Sequence, residues 1–339
     1  MSTTPSRARF TRRFLGLGAA IVAAAALNTH SLRADWQWHA VVGGQSKDLG
    51  HQALAFLPNE LWIHAGDTVT WKFDTDEIHT VTFLKDAQVR PPFPVGCPGF
   101  SANPASFDGT TCVTTPPFVK GQQFSVRFPA TGNFKLVCLV HSNMTGVVHV
   151  LDPLTPLPFD QEDYNDQAAD QRQDLLSDRD GDHDGHHGRG EGNSRHLGHE
   201  VVAGTGEITA NGGGSQTVSV MRFNHDTITI HVGATVEWTN DDPVTPHTIT
   251  FGTEPADPMP PAGAVSLDAD GARHATINAS SDSVHSGFIL AAPQERPFLP
   301  QAPLGVTRFR VTFTHAGTYP YICALHDDLG MKGKIVVVP

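Results

Sequence analysis

The chain has 339 residues, with 32 Gly and 25 Pro, and this length and composition favour two mainly β domains with separate hydrophobic cores. Residues 1–34 contain five arginines and no acidic residue, so without them the 23 basic residues fall to 18 against 35 acidic ones. This acidic balance argues against nucleic acid or an anionic membrane surface as a partner and favours a basic protein instead.

The N-terminal segment 1–34 is predicted to be a cleaved export signal. Its apolar run, FLGLGAAIVAAAAL, follows Arg12 and Arg13 and is too short to span a bilayer comfortably. The paired arginines resemble a twin-arginine signal, and the Sec route is the alternative. We therefore expect a periplasmic or otherwise exported protein that has no stable membrane span after cleavage.

A domain duplication is visible when the two halves of the sequence are compared. The stretch LWIHAGDTVTWKFDTDEIHTVTF in the first half is echoed by ITIHVGATVEWTNDDPVTPHTITF in the second. Each copy contains an apolar strand, a Gly turn, an alternating strand that ends in Trp, and a His that opens another alternating strand. Many short strands at this spacing predict an all-β fold, a sandwich or a small barrel, with one domain over residues 35–152 and another over 201–339.

The first strand of each copy also ends in a histidine, His64 or His231, and both are predicted to face solvent. Further along the first half, Cys97 and Cys112 flank an insertion rich in Pro, Gly and Ser. In an exported chain this spacing favours a disulfide, which would stabilise the fold by roughly 3 kcal/mol in the chain-entropy treatment. Two free structural thiols are the alternative.

Residues 153–200 separate the two copies and are predicted to be a flexible, disordered acidic linker, because they contain too few apolar residues to form a core. If both domains moved freely, a linker of this length would give a span of about 38 Å between them. Functional centres in the two domains would then act independently unless the domains dock.

The predicted linker contains two patterns that could bind metal ions. One formally matches the calcium loop D-x-D-x-D-G-x5-E, and it consists of Asp180, Asp182, Asp184, Gly185 and Glu191. The other is a set of histidines that could bind copper or zinc loosely: His183, His186, His187, His196 and His199. A solvated spacer of low complexity is the favoured interpretation of both patterns.

Near its end, each copy repeats the order Cys, His, Met. The stretches are LVCLVHSNMTG, with Cys138, His141 and Met144, and YICALHDDLGMKG, with Cys323, His326 and Met331. The period-two alternation of the preceding strands directs both cysteines toward their own domain cores, where a structural cysteine would be the plain interpretation.

The combination of residue types nevertheless indicates a metal site. A soft thiolate, imidazoles and a weak axial thioether are typical of the trigonal blue-copper centre, which alternates between Cu(I) and Cu(II). Such a centre needs a second imidazole, and the repeat supplies one in each copy, His79 in EIHTVTF and His247 in TPHTITF. The sequence therefore predicts one copper per domain and two per chain.

These residues resemble the cupredoxin family of type 1 copper proteins, which includes plastocyanin, amicyanin, azurin and pseudoazurin. The resemblance covers residues 36–150 and 201–339, and it implies a Greek-key β-sandwich that transfers single electrons. The second ligand loop is similar to that of plastocyanin, and the first to the shorter loop of amicyanin. Thr80 and Thr248 stand where plastocyanin-like sites often have Asn, which affects the hydrogen bonding around the cysteine sulfur.

Two alternatives to an electron carrier belong to other functional classes. Two-domain laccases and nitrite reductases are enzymes, but the resemblance implies that they need His-x-His pairs and a histidine beside the type 1 cysteine. No two histidines in this sequence lie two positions apart, and Val137 and Ile322 precede the cysteines. The other alternative is a copper scavenging or storage protein whose linker histidines collect the metal. We expect a non-enzymatic carrier with redox protein partners, such as basic cytochromes.

Overall fold

The computed structural model describes residues 35–91, 97–177, 199–291 and 306–339. The predicted export signal, the calcium-loop pattern and four of the five linker histidines lie outside these ranges. No helix among the described residues has the length and apolar character needed to cross a bilayer.

The described part of the first domain consists of short strands. They are β1 (Gln37–Gln45), β2 (His51–Leu57), β3 (Glu60–His64), β4 (Thr68–Phe73), β5 (Thr82–Phe83), β6 (Ala105–Ser106), β7 (Val113–Thr114), β8 (Gln123–Arg127), β9 (Gly132–Val137) and β10 (Thr145–Leu151).

The remaining described elements are one helix and the strands of the second domain. They are α1 (Gln161–Ser177), β11 (His199–Ala210), β12 (Ser215–Phe223), β13 (Thr227–His231), β14 (Thr235–Asp241), β15 (Thr250–Phe251), β16 (Ser266–Leu267), β17 (Arg273–Ile277), β18 (Val284–His285), β19 (Arg308–Phe313), β20 (Gly317–Ile322) and β21 (Lys332–Val338).

The two domains are β-sandwiches with equivalent strand orders, except that the second has one further strand, β16, and this confirms the predicted fold class. In the first domain, the sheet β3-β10-β9-β5-β7 packs over the strands β2-β1-β4-β8-β6; in the second, β13-β21-β20-β15-β18 packs over β12-β11-β14-β19-β17-β16. The buried side chains of Trp71 and Trp238 lie at equivalent places in the two cores, against Phe83 and Phe251. Alternation along β9 and β20 buries one face of each strand and leads both cysteines, Cys138 and Cys323, into the cores.

The two sandwiches share one continuous sheet, because β2 pairs antiparallel with β12. Ala53 lies opposite Val218 and Gln52 lies opposite Ser219 in this register, and the shared sheet has eleven described strands. The side chains of Asn59 and Asn211 form a further hydrogen bond of 2.8 Å between the domains. The domains therefore dock, which answers the question that the sequence left open.

The prediction of a disordered linker over 153–200 is wrong for residues 161–177, which form α1, and for residues 199–200, which begin β11. The helix is mostly polar, but it buries Tyr164 and Leu175 against the sheet. The carboxylate of Asp160 accepts hydrogen bonds from the backbone N–H groups of residues 162 and 163 and so caps the helix. Two buried anchors and a cap thus order a segment whose composition predicts disorder.

The disulfide between Cys97 and Cys112 is present, with the two Cα atoms 5.4 Å apart, and this confirms the predicted pairing. The other two cysteines, Cys138 and Cys323, are free and buried.

The anchoring of α1 can be tested at Tyr164. Its hydroxyl accepts a hydrogen bond from the backbone N–H of Trp62 (2.7 Å) and donates one to the carbonyl of the same residue (2.9 Å). In Tyr164→Phe both backbone groups lose this partner, so we expect the free energy of unfolding to fall by about 1–3 kcal/mol. Urea denaturation measures this change, and Asp170→Asn, an exposed position of the same helix, is the control. An unchanged unfolding midpoint would show that the hydroxyl does not anchor the helix.

Candidate metal centres

Two clusters of potential ligand atoms lie in equivalent places in the two domains. The first group consists of His79, Cys138 and His141, and the second group consists of His247, Cys323 and His326. All six side chains are buried, with 0 to 3% of each residue exposed. The sequence predicted these six residues as ligands, and the fold brings them together in the predicted combination.

Each group receives one histidine from the strand region before β5 or β15 and the other two residues from the loop after β9 or β20. In the first loop, the backbone N–H of Cys138 donates to the carbonyl of Met144 (3.0 Å). In the second, the N–H of Cys323 donates to the carbonyl of Met331 (3.1 Å). An equivalent backbone hydrogen bond therefore closes each loop, although the loops differ in length by two residues.

The spacing of the donor atoms suits one metal ion per group. In the first group the two histidine Nδ1 atoms are 3.1 Å apart, and they lie 3.9 Å and 3.8 Å from the cysteine Sγ. In the second group the corresponding distances are 3.1, 3.8 and 3.3 Å. These separations fit an ion bonded to all three atoms at the roughly 2.0 to 2.3 Å of first-row metal–nitrogen and metal–sulfur bonds.

The two methionines, Met144 and Met331, are fully buried, and each packs in the same apolar cluster as the cysteine of its loop. Their predicted role as weak axial ligands remains a prediction.

The histidines promote ionisation of both thiols. Burial by itself would raise the pKa of the Cys138 thiol, but hydrogen bonds from His141 and His79 outweigh burial and hold this pKa well below its usual range. For Cys323, the opposing effect of burial is likewise outweighed by the charge of His326 and the hydrogen bond with His247, so this pKa is also well below its usual range. Thiolate is the form that binds a metal ion, so both sites favour binding.

Thr80 and Thr248, which directly follow the strand histidines, support the cysteine sulfurs through their backbone. The N–H of Thr80 lies 3.4 Å from the Sγ of Cys138, and that of Thr248 lies 3.3 Å from the Sγ of Cys323. Their hydroxyls accept hydrogen bonds from the backbone N–H groups of Leu139 (2.8 Å) and residue 324 (2.7 Å). The hydroxyls thus tie each histidine strand to the ligand loop.

Two glycines that the sequence analysis missed make room for the strand histidines. Gly43 and Gly204 lie at β-bulges in β1 and β11 and have positive φ angles of 71° and 77°. A Cβ atom at Gly204 would clash with Nε2 of His247, and one at Gly43 would clash with Thr75 and approach Nε2 of His79. In the sequence, an apolar run followed by glycine occurs near the start of both copies, and this repetition could have identified the two positions.

Two buried carboxylates that the sequence analysis also missed lie beside ligand histidines. The Oδ2 atom of Asp242 is 3.9 Å from Nε2 of His247. Glu77 lies between the groups, with Oε1 3.4 Å from Nε2 of His141 and Oε2 3.6 Å from Nε2 of His326. No spacing rule identified them, because their proximity to the histidines arises from the fold.

These carboxylates shape the electrostatics around the groups. Burial would raise the pKa of Glu77, but the hydrogen bond from His141 and the charges of His326 and His141 outweigh it and lower this pKa to about 2. Burial would lower the pKa of His141, but its contacts with Cys138 and Glu77 raise it to about 10. For His247, the opposing effect of burial is outweighed by Asp242 and Cys323, and the pKa rises to about 9.

Three other histidines with sequence predictions are not part of either group. His64 is buried, with Nε2 2.7 Å from the carbonyl of Thr155, so its predicted solvent-facing position is wrong. His231 is exposed as predicted, and His199, predicted as part of the linker, is an exposed residue of β11.

Comparisons with known proteins found one family and several solved structures that are similar to this chain. Residues 45–151 and 301–338 match the model of a family described as copper binding proteins of the plastocyanin/azurin family. Among solved structures, the oxidised plastocyanin of Dryopteris crassirhizoma is similar at 20% identity, with a TM-score of 0.22, over 41% of this chain and 99% of its own. A reduced amicyanin mutant, P94F, is similar at 24% identity, with a TM-score of 0.23, over 33% of this chain and 82% of its own.

The room that Gly204 leaves for His247 can be tested by Gly204→Ala. We expect this variant to lose copper from the second group only, because the added methyl group displaces the imidazole. Gly233→Ala is the matched control: Gly233 also has a positive φ, of 84°, but a Cβ atom there meets nothing within 4 Å. Both substitutions carry a backbone cost of roughly 1–2 kcal/mol.

Metal analysis of the purified variants measures the outcome. We expect half the wild-type copper content in Gly204→Ala and the full content in Gly233→Ala. Equal copper content in the two variants would contradict the steric role of this position.

Proposed function

Because this chain is a copper-binding protein with two cupredoxin domains of the plastocyanin/azurin family, we propose that it is an exported, non-enzymatic carrier that transfers single electrons. Each domain holds one mononuclear type 1 copper site. The observation that carries this proposal is the pair of buried groups, each with one cysteine sulfur and two imidazole Nδ1 atoms facing a common point.

Copper bound in such a site supplies a one-electron couple, Cu(II)/Cu(I). The residues of this chain perform the remaining tasks. In each ligand loop, the backbone hydrogen bond from the cysteine N–H to the methionine carbonyl positions the thiolate and one imidazole. The threonine hydroxyls hold the segment that carries the other imidazole against the loop. Burial of all six ligand side chains excludes water. A donor set held rigidly in this way changes little between oxidation states, which favours rapid electron transfer.

The residues next to the cysteines support a carrier over an oxidase. Val137 and Ile322 precede the two cysteines, so neither site has an adjacent histidine that could lead to a second, catalytic copper. The N-terminal segment supports export to the periplasm or another oxidising compartment, and the disulfide between Cys97 and Cys112 suits such a compartment. The acidic charge of the mature chain favours basic redox partners, such as cytochromes.

The test is to load the mature chain with Cu(II) and record its absorption, its EPR spectrum and its copper stoichiometry. We expect two coppers per chain, intense thiolate-to-copper charge-transfer absorption and no type 2 signal. A colourless protein would refute the type 1 sites. More than two coppers with oxidase or nitrite reductase turnover would favour an enzyme. More than two coppers without redox activity would favour a storage protein.

Single cysteine variants assign the absorption to the two groups. Cys138→Ala and Cys323→Ala should each remove about half of the charge-transfer absorption, because each removes the only thiolate of one donor set. Complete loss of colour in either variant would show that only one group forms a type 1 site.

A further inference from the structure

Glu77 is the one described acidic residue whose carboxylate contacts histidines of both groups. Its two oxygens divide between the domains, with Oε1 3.4 Å from Nε2 of His141 and Oε2 3.6 Å from Nε2 of His326. Only 7% of its side chain is exposed. A carboxylate this deeply buried requires compensating partners, and the two ligand imidazoles provide them.

The orientation of both imidazoles suits a shared carboxylate. In each group the Nδ1 atom points toward the cysteine sulfur, and Nε2 of His141 or His326 points away from it toward Glu77. A neutral imidazole that binds a metal ion through Nδ1 carries its proton on Nε2, so both N–H groups can donate to the same carboxylate. Ligand histidines commonly donate to a carboxylate in this way, and here one carboxylate serves two metal sites.

The fold holds Glu77 in this position from several sides. Its backbone N–H donates to the hydroxyl of Thr75 (3.1 Å), which in turn donates to the side-chain oxygen of Gln52 (2.5 Å) in the strand that joins the domains. Arg222 fastens the second ligand loop to the first domain, because its guanidinium donates to the carbonyls of Leu329 (2.7 Å) and Asp48 (2.6 Å). The contact between Glu77 and the second group is therefore supported by other contacts between the domains.

We propose that Glu77 couples the two copper sites, and that His141, Glu77 and His326 form the path by which one electron moves between them within a single molecule. In this exchange Cu(I) in one site is oxidised to Cu(II) as Cu(II) in the other is reduced to Cu(I), so no external oxidant or proton is needed. The inference rests on the proposed electron-carrier function and deepens it, because the two sites become one relay.

A negative charge near a copper site stabilises Cu(II) more than Cu(I). Glu77→Gln, which retains the size of the side chain but removes its charge, should therefore raise the reduction potentials of both sites. We expect a shift of about 59 mV at each site, equivalent to a tenfold change in the equilibrium constant for one electron. The shift in the second site is the sharper test, since Glu77 belongs to the first domain.

The potentials are measured one site at a time, with the full-length Cys323→Ala background reporting the first site and the Cys138→Ala background reporting the second. Asp242→Asn is the matched control, because Asp242 is a buried carboxylate that contacts a ligand histidine, His247, of the second group alone. It should shift the potential of the second site and leave the first unchanged. A Glu77→Gln protein with a shift at only one site would overturn the shared role.

The electron path is measured in the two-copper protein by rapid photoreduction. We expect a first-order phase of exchange between the sites whose rate does not depend on protein concentration. Glu77→Gln should slow this phase about tenfold or more. Since both potentials move in the same direction, the driving force changes little and the slower rate reports the path. Glu60→Gln, which alters a carboxylate paired with His149, should leave the rate unchanged.

Copper stoichiometry and EPR are recorded first for every variant. A wild-type protein without two type 1 signals refutes the proposed function, whereas two normal signals with an unchanged exchange rate in Glu77→Gln refute only the bridge. If Glu77→Gln does not fold, Glu77→Asp provides the test, because it retains the charge but shortens the side chain. It should slow the exchange phase and shift the potentials less than the loss of charge would, and an exchange rate equal to that of wild type would overturn the proposal.

Discussion

The antiparallel pairing of β2 with β12 is the interaction on which the relation between the two metal groups depends. Each strand would be an edge of its own domain, with unpaired backbone N–H and C=O groups, and their pairing satisfies both edges at once. Helix α1 covers the junction, where Leu175 packs with Ala53 and Val218. This join unites the two repeats in one sheet, and it brings His141 and His326 to the same buried carboxylate.

Within each domain, the decisive constraint is the burial of polar ligand atoms in an apolar core. The cysteine sulfurs have both imidazoles and a threonine N–H around them, so the buried thiolates do not lack partners. Some cost remains, because Nε2 of His79 and Nε2 of His247 have no hydrogen-bond partner in the described structure. Gly43 and Gly204 place backbone directly beside these rings. The tight fit fixes the orientation of both rings and leaves Nδ1 directed at the donor cluster.

The residues that come together in the two groups could be predicted from the sequence, because much of each group is encoded by a local spacing that occurs in both copies. Cys323 and His326 lie three residues apart in one loop, and the repeat alignment identified His247 as the distant partner. Glu77, Gly204 and the β2–β12 pairing could not be predicted in this way, because their roles depend on contacts between distant segments. The error over α1 has a different origin: composition averages over a segment, whereas Tyr164 and Leu175 anchor the helix individually.

The duplication has preserved the donor sets and diverged around them. Two residues before the strand histidine, the first copy has Glu77 and the second has Thr245, so one carboxylate lies between two sites. Among the histidines of the two groups, Asp242 contacts only His247, so the two groups differ in surrounding charge as well as in loop length. The two groups therefore have unequal electrostatic environments, which two identical domains would not provide.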